Sequence, residues 1–232
     1  MTTEDVRDKG AEGGPRERVI LGTLAELVDP AHAVVLVVDM QNAVCSPAGP
    51  VAREGVDISM MQEIIPPMVR LLDGARSHGV PIIFIQMLSA PNLMSMSSAY
   101  LKFRRGVMNG GTPEWLAGSW EGDVIPELRR RPDEPVVVKY RSSAFVNTNL
   151  DTMLRSMGTR TTIVVGEQTP GCVESTVRGA ADHDYYPVIV TDCVGSLRRD
   201  LHAPSMQVMT ARWDAATSAE ITGIWGRSPS TP

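Results

Sequence analysis

Three side chains suited to acid–base or nucleophilic chemistry stand at the ends of apolar runs. Asp39 ends VVLVVDMQ, Lys139 ends PVVVKYR, and Cys172 follows IVVGEQTPG. Taken singly, Asp39 is also interpretable as a turn or helix cap, Lys139 as a surface cation and Cys172 as a small buried apolar residue. In open α/β sheets, however, ligands gather at the carboxyl ends of the strands. We therefore expect these three residues to converge at one edge of a sheet.

The sequence around Cys172 is the most informative of the three. A helical pattern, VESTVRGAADHD, follows it directly, and a helix N-terminus or a nearby Lys favours the thiolate. The preceding GEQTPG predicts a tight turn whose backbone N–H groups form an oxyanion hole. Cys45 and Cys193 have no comparable setting, so Cys172 is the predicted nucleophile among the cysteines.

The elements that must position these residues alternate along the chain. Continuous β-branched runs predict buried parallel strands, and apolar periodicity predicts helices between them. This rhythm indicates an α/β fold with a doubly wound sheet. The predicted strands are 34–38, 82–85, 136–138, 163–165 and 188–190, and the predicted helices are 60–78, 149–157 and 173–184.

The stretch 87–120 interrupts that alternation. It is rich in Met and Trp, and it predicts an irregular insertion serving as a lid or substrate loop, with a subunit interface or a disordered excursion as alternatives. Polar residues 1–17 and 226–232 are predicted to be flexible tails. Residues 18–225 are then predicted to form a single domain.

Composition excludes several functional classes. The chain has 232 residues, 43% hydrophobic and 21% charged, with a net charge of −5, which favours a globular protein that binds no nucleic acid. No apolar run approaches the roughly 20 residues of a membrane helix, and no secretory signal is evident. Three scattered cysteines predict a cytoplasmic protein rather than a disulfide scaffold.

Motifs for bound cofactors are also missing from the sequence. There is no P-loop, no dinucleotide fingerprint after the first strand and no GxSxG elbow. The four histidines lack the spacing of a metal site, so no metal and no organic cofactor is expected.

Three segments together resemble the isochorismatase-like cysteine hydrolases. They are VVLVVDMQNAVCSPAGP, VVVKYRSSAFVNTNLDTMLRSMG and VVGEQTPGCVESTVRGAADHDYYPVIVTDCVGS, and the similarity extends over about residues 31–225. The resemblance implies a three-layer α/β/α fold with a six-stranded, mostly parallel sheet. It also implies hydrolysis of small amides or ureides, in an enzyme that is a homo-oligomer, either a dimer or a tetramer.

The resemblance also implies residue roles. Cys172 is the implied nucleophile, Asp39 the base that takes its proton, and Lys139 the cation that holds the thiolate and orients Asp39. A cis peptide is implied between Glu167 and Gln168, with the backbone N–H groups of Gln168 and Cys172 forming the oxyanion hole.

Within the family, Cys172 argues against the isochorismate-cleaving branch, and the absence of histidine in IQMLSAPN argues against metal-assisted nicotinamidases. DMQNA, GSW and CVEST look like the ureidoacrylate and peroxyureidoacrylate amidohydrolases. This sequence departs from them at Met87 and Ser89, and by having TPG before the cysteine. Because Met-rich linings are apolar and adaptable, we predict a substrate less polar than ureidoacrylate.

The predicted function is cysteine-dependent hydrolysis of a C–N bond in a small ureide or amide through a thioester. The alternatives are hydrolysis of a lactam or hydrazide, or a non-catalytic binding subunit. Several further side chains are candidate substrate contacts, although each also has a structural interpretation in a loop, a surface ion pair or an interface. These candidates are Gln41, Asn42, Met87, Trp115 and Arg141.

Overall fold

A computed structural model describes residues 19–107 and 115–227, and its centre is one six-stranded sheet. All strand pairs are parallel and the strand order is β3-β2-β1-β4-β5-β6, so the predicted fold class is confirmed. The predicted tail at 1–17 and most of the one at 226–232 lie outside the described residues. The strands are β1 (Ala33–Val38), β2 (Ile82–Met87), β3 (Val136–Lys139), β4 (Thr161–Glu167), β5 (Tyr186–Gly195) and β6 (Asp214–Ala216).

Helices cover both faces of the sheet. One apolar cluster joins a sheet face to α4 and α9, and a second cluster joins the other face to α6, α7 and α8. This is the predicted three-layer arrangement. The helices are α1 (Leu24–Leu27), α2 (Asn42–Cys45), α3 (Pro50–Arg53), α4 (Ser59–Ser77), α5 (Ser98–Val107), α6 (Leu150–Ser156), α7 (Glu174–Asp182), α8 (Arg199–Thr210) and α9 (Ser218–Trp225).

The burial of the central strands explains why the sequence patterns predicted them. Every residue of β1 is buried, with Val35 and Val37 in one apolar cluster and Val34 and Leu36 in the other. A strand covered on both faces reads as a continuous apolar run. The short β6 (DAA) is exposed at two of its three positions and gives no such signal, so the residue patterns did not predict it.

The segment after β2 differs from the irregular insertion that was predicted. Residues 98–107 form α5, and short 3-10 turns lie at Pro91–Leu93 and Trp120–Gly122. SAYLKFRR contains neither Gly nor Pro, so nothing in it prevents a helix. Residues 108–114 of the predicted insertion lie outside the described residues. Within the described ranges, no helix is both long and apolar enough to cross a membrane.

Candidate active site

Asp39 and Lys139 form a buried ion pair at the carboxyl edge of the sheet. Lys139 Nζ lies 2.7 Å from Asp39 Oδ2, and the two side chains are 0% and 3% exposed. Asp39 follows β1 and Lys139 ends β3, on either side of β2. Burial is the largest influence and would lower the pKa of Lys139, but the charge of Asp39, the nearby Cys172 sulfur and the hydrogen bonds to both together outweigh it, so the pKa is raised. The ammonium therefore stays charged, and it also donates to the Arg141 carbonyl at 3.2 Å.

Cys172 lies within one wide helical turn, Thr169–Val173, that connects β4 to α7. The Gln168 carbonyl accepts from the Gly171 N–H at 2.9 Å and from the Val173 N–H at 3.1 Å, which closes the turn. We call residues 168–174 the nucleophile turn. Cys172 is 9% exposed and α7 begins two residues after it, so the thiol precedes the helix as expected.

The resting state of the thiol differs from the predicted thiolate. Burial is the largest influence and raises the pKa of Cys172 to about 12. The positive charge of Lys139 opposes that shift, whereas Asp39 and Glu167 add to it. At neutral pH the sulfur therefore keeps its proton. The charges of Asp39 and Lys139, which pair with each other, both act on this thiol.

Gly166 brings the nucleophile turn against β1. Its φ is +120°, and a Cβ at this position would stand 2.0 Å from the Val38 carbonyl oxygen, so a side chain is excluded. The peptide bond that follows, Glu167–Gln168, is cis. Since Val38 directly precedes Asp39, this close backbone approach brings Asp39 beside the turn that carries Cys172.

Side chains from the end of β5 and from α8 hold the nucleophile turn. Ser196 Oγ donates to Gln168 Oε1 at 2.8 Å, and Thr169 Oγ1 is hydrogen-bonded to His202 Nδ1 at 2.9 Å. Ser205 Oγ lies 3.2 Å from the Thr169 carbonyl and 2.6 Å from Glu174 Oε2. The backbone predicted to bind an oxyanion is thus anchored on the side away from Asp39.

Glu167 adds a buried carboxyl group next to the ion pair. It is 4% exposed, and its Oε2 has no hydrogen-bond partner within residues 19–107 and 115–227. Burial, followed by the charge of Asp39, raises the pKa of Glu167 to about 8, against the opposing charges of Lys139 and Arg104. The group is therefore mostly protonated at neutral pH and adds little negative charge beside Cys172.

Helix α5 lies over this edge of the sheet. The Arg141 guanidinium stands 4.4 Å from the Tyr100 ring centre, and that of Arg104 stands 5.6 Å from the ring centre of Trp115. Trp115 is 8% exposed and belongs to the core cluster, so its predicted contact with substrate stays a prediction.

Two of the candidate substrate contacts instead hold loops together. Gln41 is fully buried; its Nε2 donates to the Met87 and Gly122 carbonyls, and its Oε1 accepts from the Met87 N–H. Asn42 Nδ2 donates to the Trp120 carbonyl at 2.8 Å. These bonds support the loop interpretation for both Gln41 and Asn42, and contact of either residue with substrate stays a prediction. Met87 is 4% exposed and packs in the same apolar cluster as Cys172.

A surface cavity of about 280 Å³ opens beside Arg141. The cavity is lined by Ala90, Met94, Ser95, Tyr140, Arg141, Val146 and Asn147.

In the described part of the chain, no three His, Cys, Asp or Glu side chains are grouped so as to hold a metal ion.

Comparison with known proteins agrees with this geometry. The family model of the isochorismatase domain matches residues 33–221. The chain belongs to the isochorismatase family. Its curated relatives include the ureidoacrylate amidohydrolase RutB of Agrobacterium fabrum, 34% identical over 183 residues, or 74% of this chain and 79% of the relative. The RutB of Methylobacterium radiotolerans is 32% identical over 195 residues, covering 79% and 74%.

Solved structures share the fold. A cysteine hydrolase from Pseudomonas syringae pv. phaseolicola superposes with a TM-score of 0.76 at 24% identity, covering 86% of this chain and 95% of that one. N-carbamoylsarcosine amidase from Thermoplasma acidophilum gives 0.64 at 21% identity, covering 81% and 96%. The predicted enzyme class, an amidohydrolase of the isochorismatase family, is confirmed by the family match and the curated relatives.

Several residues around the site were not singled out from the sequence. Tyr100 and Arg104 are four residues apart on α5, and recognising helical spacing in SAYLKFRR would have paired them. Ser196, His202 and Ser205 gave no signal, because α8 was not predicted and their partners lie about thirty residues away along the chain.

Proposed function

We propose that this isochorismatase-family enzyme hydrolyses a C–N bond of a small ureide or amide, with Cys172 as the nucleophile. The observation that carries the proposal is the buried Lys139–Asp39 pair, 2.7 Å apart, whose two charges both act on the Cys172 thiol. The identity to ureidoacrylate amidohydrolases adds support for a ureide.

In the first half-reaction Asp39 accepts the thiol proton while the sulfur attacks the substrate carbonyl. Lys139 stabilises the negative charge on sulfur as it forms, which matters because the resting thiol has a raised pKa. The tetrahedral oxyanion is held by the backbone N–H groups of Gln168 and Cys172. Asp39 then returns the proton to the departing amine or ammonia, leaving the acyl group on sulfur.

In the second half-reaction water hydrolyses the thioester. Asp39 takes a proton from the water as it attacks the acyl carbon, and the same backbone N–H groups hold the second oxyanion. The thiolate leaves and recovers the proton from Asp39, so the enzyme returns to its starting state. The balance is one amide or ureide plus one water, giving an amine and a carboxylic or carbamic acid.

Product release from a panel of ureido acids, carbamoyl amino acids and simple amides tests this proposal. We expect turnover of at least one class by the wild type and loss of it in Cys172→Ala. Cys45→Ala is the matched control, because Cys45 is a second buried free thiol with no proposed part in the reaction. Equal activity in Cys172→Ala and wild type would refute the thioester mechanism, and loss of activity in both variants would show a general effect on folding.

A further inference from the structure

Tyr100 carries a hydroxyl group that the fold leaves without a partner. Its Oη is buried, and within residues 19–107 and 115–227 it makes no hydrogen bond. Nearly all buried polar groups in native proteins are hydrogen-bonded, so an exception calls for an explanation. A hydroxyl in this position is explained if its partner arrives with the substrate.

The position of this tyrosine is set by Arg141. The guanidinium carbon lies 4.4 Å from the centre of the Tyr100 ring, a cation–π distance. Arg141 Nη1 also donates to the carbonyls of Ser95 at 3.0 Å and Tyr140 at 2.6 Å. The arginine is therefore anchored to two other residues that line the cavity, and Tyr100 rests against it.

These two residues connect directly to the catalytic pair. The Arg141 carbonyl accepts from Lys139 Nζ at 3.2 Å, and Lys139 pairs with Asp39. Tyr100, Arg141, Lys139 and Asp39 thus form one continuous series of contacts along this edge of the sheet. A substrate whose carbonyl lies at Cys172 would extend along this series toward the Tyr100 hydroxyl.

The charge at this end of the site favours an anion. In the described part of the chain, Arg141 pairs with no carboxylate and its side chain donates to two neutral carbonyls through Nη1, while its Nε and Nη2 groups make no hydrogen bond there. Asp39 is matched by Lys139, and Glu167 is mostly protonated at neutral pH. The Arg141 guanidinium thus lies beside the Tyr100 hydroxyl, and both have donors that make no hydrogen bond in the described part of the chain.

We propose that Tyr100 Oη and the Arg141 guanidinium bind the carboxylate of the substrate, so that this enzyme selects anionic ureido or amido acids. The hydroxyl donates to one carboxylate oxygen and the free guanidinium N–H groups donate to the other. This inference rests on the proposed function, because it places the carboxylate at one end of a substrate whose other end is cleaved at Cys172.

The first test compares 3-ureidoacrylate with its neutral methyl ester in steady-state kinetics. For Tyr100→Phe, we expect KM for the acid to rise about 10- to 100-fold, the range for losing one hydrogen bond to a charged group, with kcat changed less than about threefold. Arg141→Met raises KM for the acid by at least as much, and neither substitution raises KM for the ester. Tyr186→Phe, the same chemical change at the amino end of β5, leaves both substrates unaffected.

Thermal unfolding separates this role from a structural one. Removing a buried hydroxyl that has no partner leaves Tm unchanged or raises it, because the desolvated group is lost and no bond is broken. A Tm for Tyr100→Phe well below that of Tyr186→Phe would show that the hydroxyl supports the fold, and would overturn the proposal. Equal increases in KM for acid and ester would overturn it as well.

Binding to the Cys172→Ala variant separates failure of this inference from failure of the proposed function. Calorimetry with the acid and the ester needs no turnover. One outcome is that the wild type turns over no compound, while Cys172→Ala binds the acid and adding Tyr100→Phe abolishes that binding. This outcome would support the anion site and refute the hydrolase proposal. Turnover in the wild type, with acid and ester bound equally well by the variant, refutes the anion site alone. Binding of neither compound also refutes it.

Discussion

The two sides of the active site are built differently. The nucleophile turn is held by Ser196, His202 and Ser205 through bonds of 2.6 to 3.2 Å, and it follows a glycine that touches β1. The cover segment, residues 88–107, contacts the rest through backbone bonds from Leu88 to Lys139 and from Ser89 to Trp115, and through the ring contacts of Tyr100 with Arg141 and of Arg104 with Trp115.

Exposure shows the same difference. On the cover segment Met94 is 81% exposed and Phe103 is 51% exposed, whereas Thr169 on the nucleophile turn is fully buried. Groups that do chemistry must be held closely, since small misplacements cost large factors in rate. Substrate-facing groups can vary at less cost. We infer that the turn fixes the reaction and the cover segment sets which substrate enters.

The largest expected effect comes from breaking the buried ion pair between Lys139 and Asp39. Lys139→Met leaves Asp39 as an uncompensated buried charge, so we expect a loss of about 3–5 kcal/mol in unfolding free energy and at least about a thousandfold loss in kcat. Urea unfolding and steady-state kinetics measure the two effects.

The double variant Asp39→Asn/Lys139→Met removes both charges and serves as the control. It should recover most of the lost stability while staying inactive, because packing can replace a buried pair but cannot replace a base. Activity in the double variant would contradict the role given to Asp39.

The next effect tests whether the bonds behind the nucleophile turn matter for rate. Thr169→Val removes the hydroxyl that bonds His202 Nδ1 at 2.9 Å, and we expect kcat to fall about tenfold with KM nearly unchanged. Thr169→Ser keeps the hydroxyl and should keep kcat close to wild type. A KM effect as large as the kcat effect would mean that the turn also selects substrate.

Glu167 lies between the two regions and predicts a pH effect. Its pKa is raised from 4.5 to about 8, so it gains a negative charge beside Cys172 as the pH passes 8. We expect kcat/KM to fall several-fold between pH 8 and 9, and Glu167→Gln to remove that fall. A wild-type profile that Glu167→Gln leaves unchanged would contradict this assignment.

The same carboxyl group predicts the sign of a stability change. The folded protein holds this proton more tightly than the unfolded chain does, so its contribution to stability is lost as pH rises from about 4.5 to about 8. Relative to wild type, Glu167→Gln should therefore gain stability across that window. Urea unfolding at pH 5 and pH 8 measures the difference.

The smallest effect is expected on the cover segment. Met94→Gln changes a side chain that is 81% exposed and lines the cavity, so we expect the unfolding free energy to change by less than about 0.5 kcal/mol. KM for substrates with added alkyl groups should rise a few-fold, because an apolar contact is lost. No change in preference between short and alkylated substrates would argue against an apolar lining here.

The sequence predicted the positions of Asp39, Lys139 and Cys172 better than it predicted the structure of the cover segment. Asp39, Lys139 and Cys172 follow strands, and β1 and β4 are covered on both faces, so their positions were readable from apolar runs. The resting state of Cys172 was not predictable, because burial is the main influence that raises its pKa and the extent of burial is not visible before folding. Likewise Gln41 proved to bind three backbone groups from distant segments.

Lys139 ends β3, an edge strand, and its partner Asp39 precedes it by 100 residues. Contacts between residues so distant along the chain carry a large loop-closure cost and form late in folding. Until β3 has joined the sheet, Asp39 and Cys172 therefore lack the charge of Lys139. If Lys139 has its proposed role, regain of turnover after dilution from denaturant reports that β3 has joined the sheet.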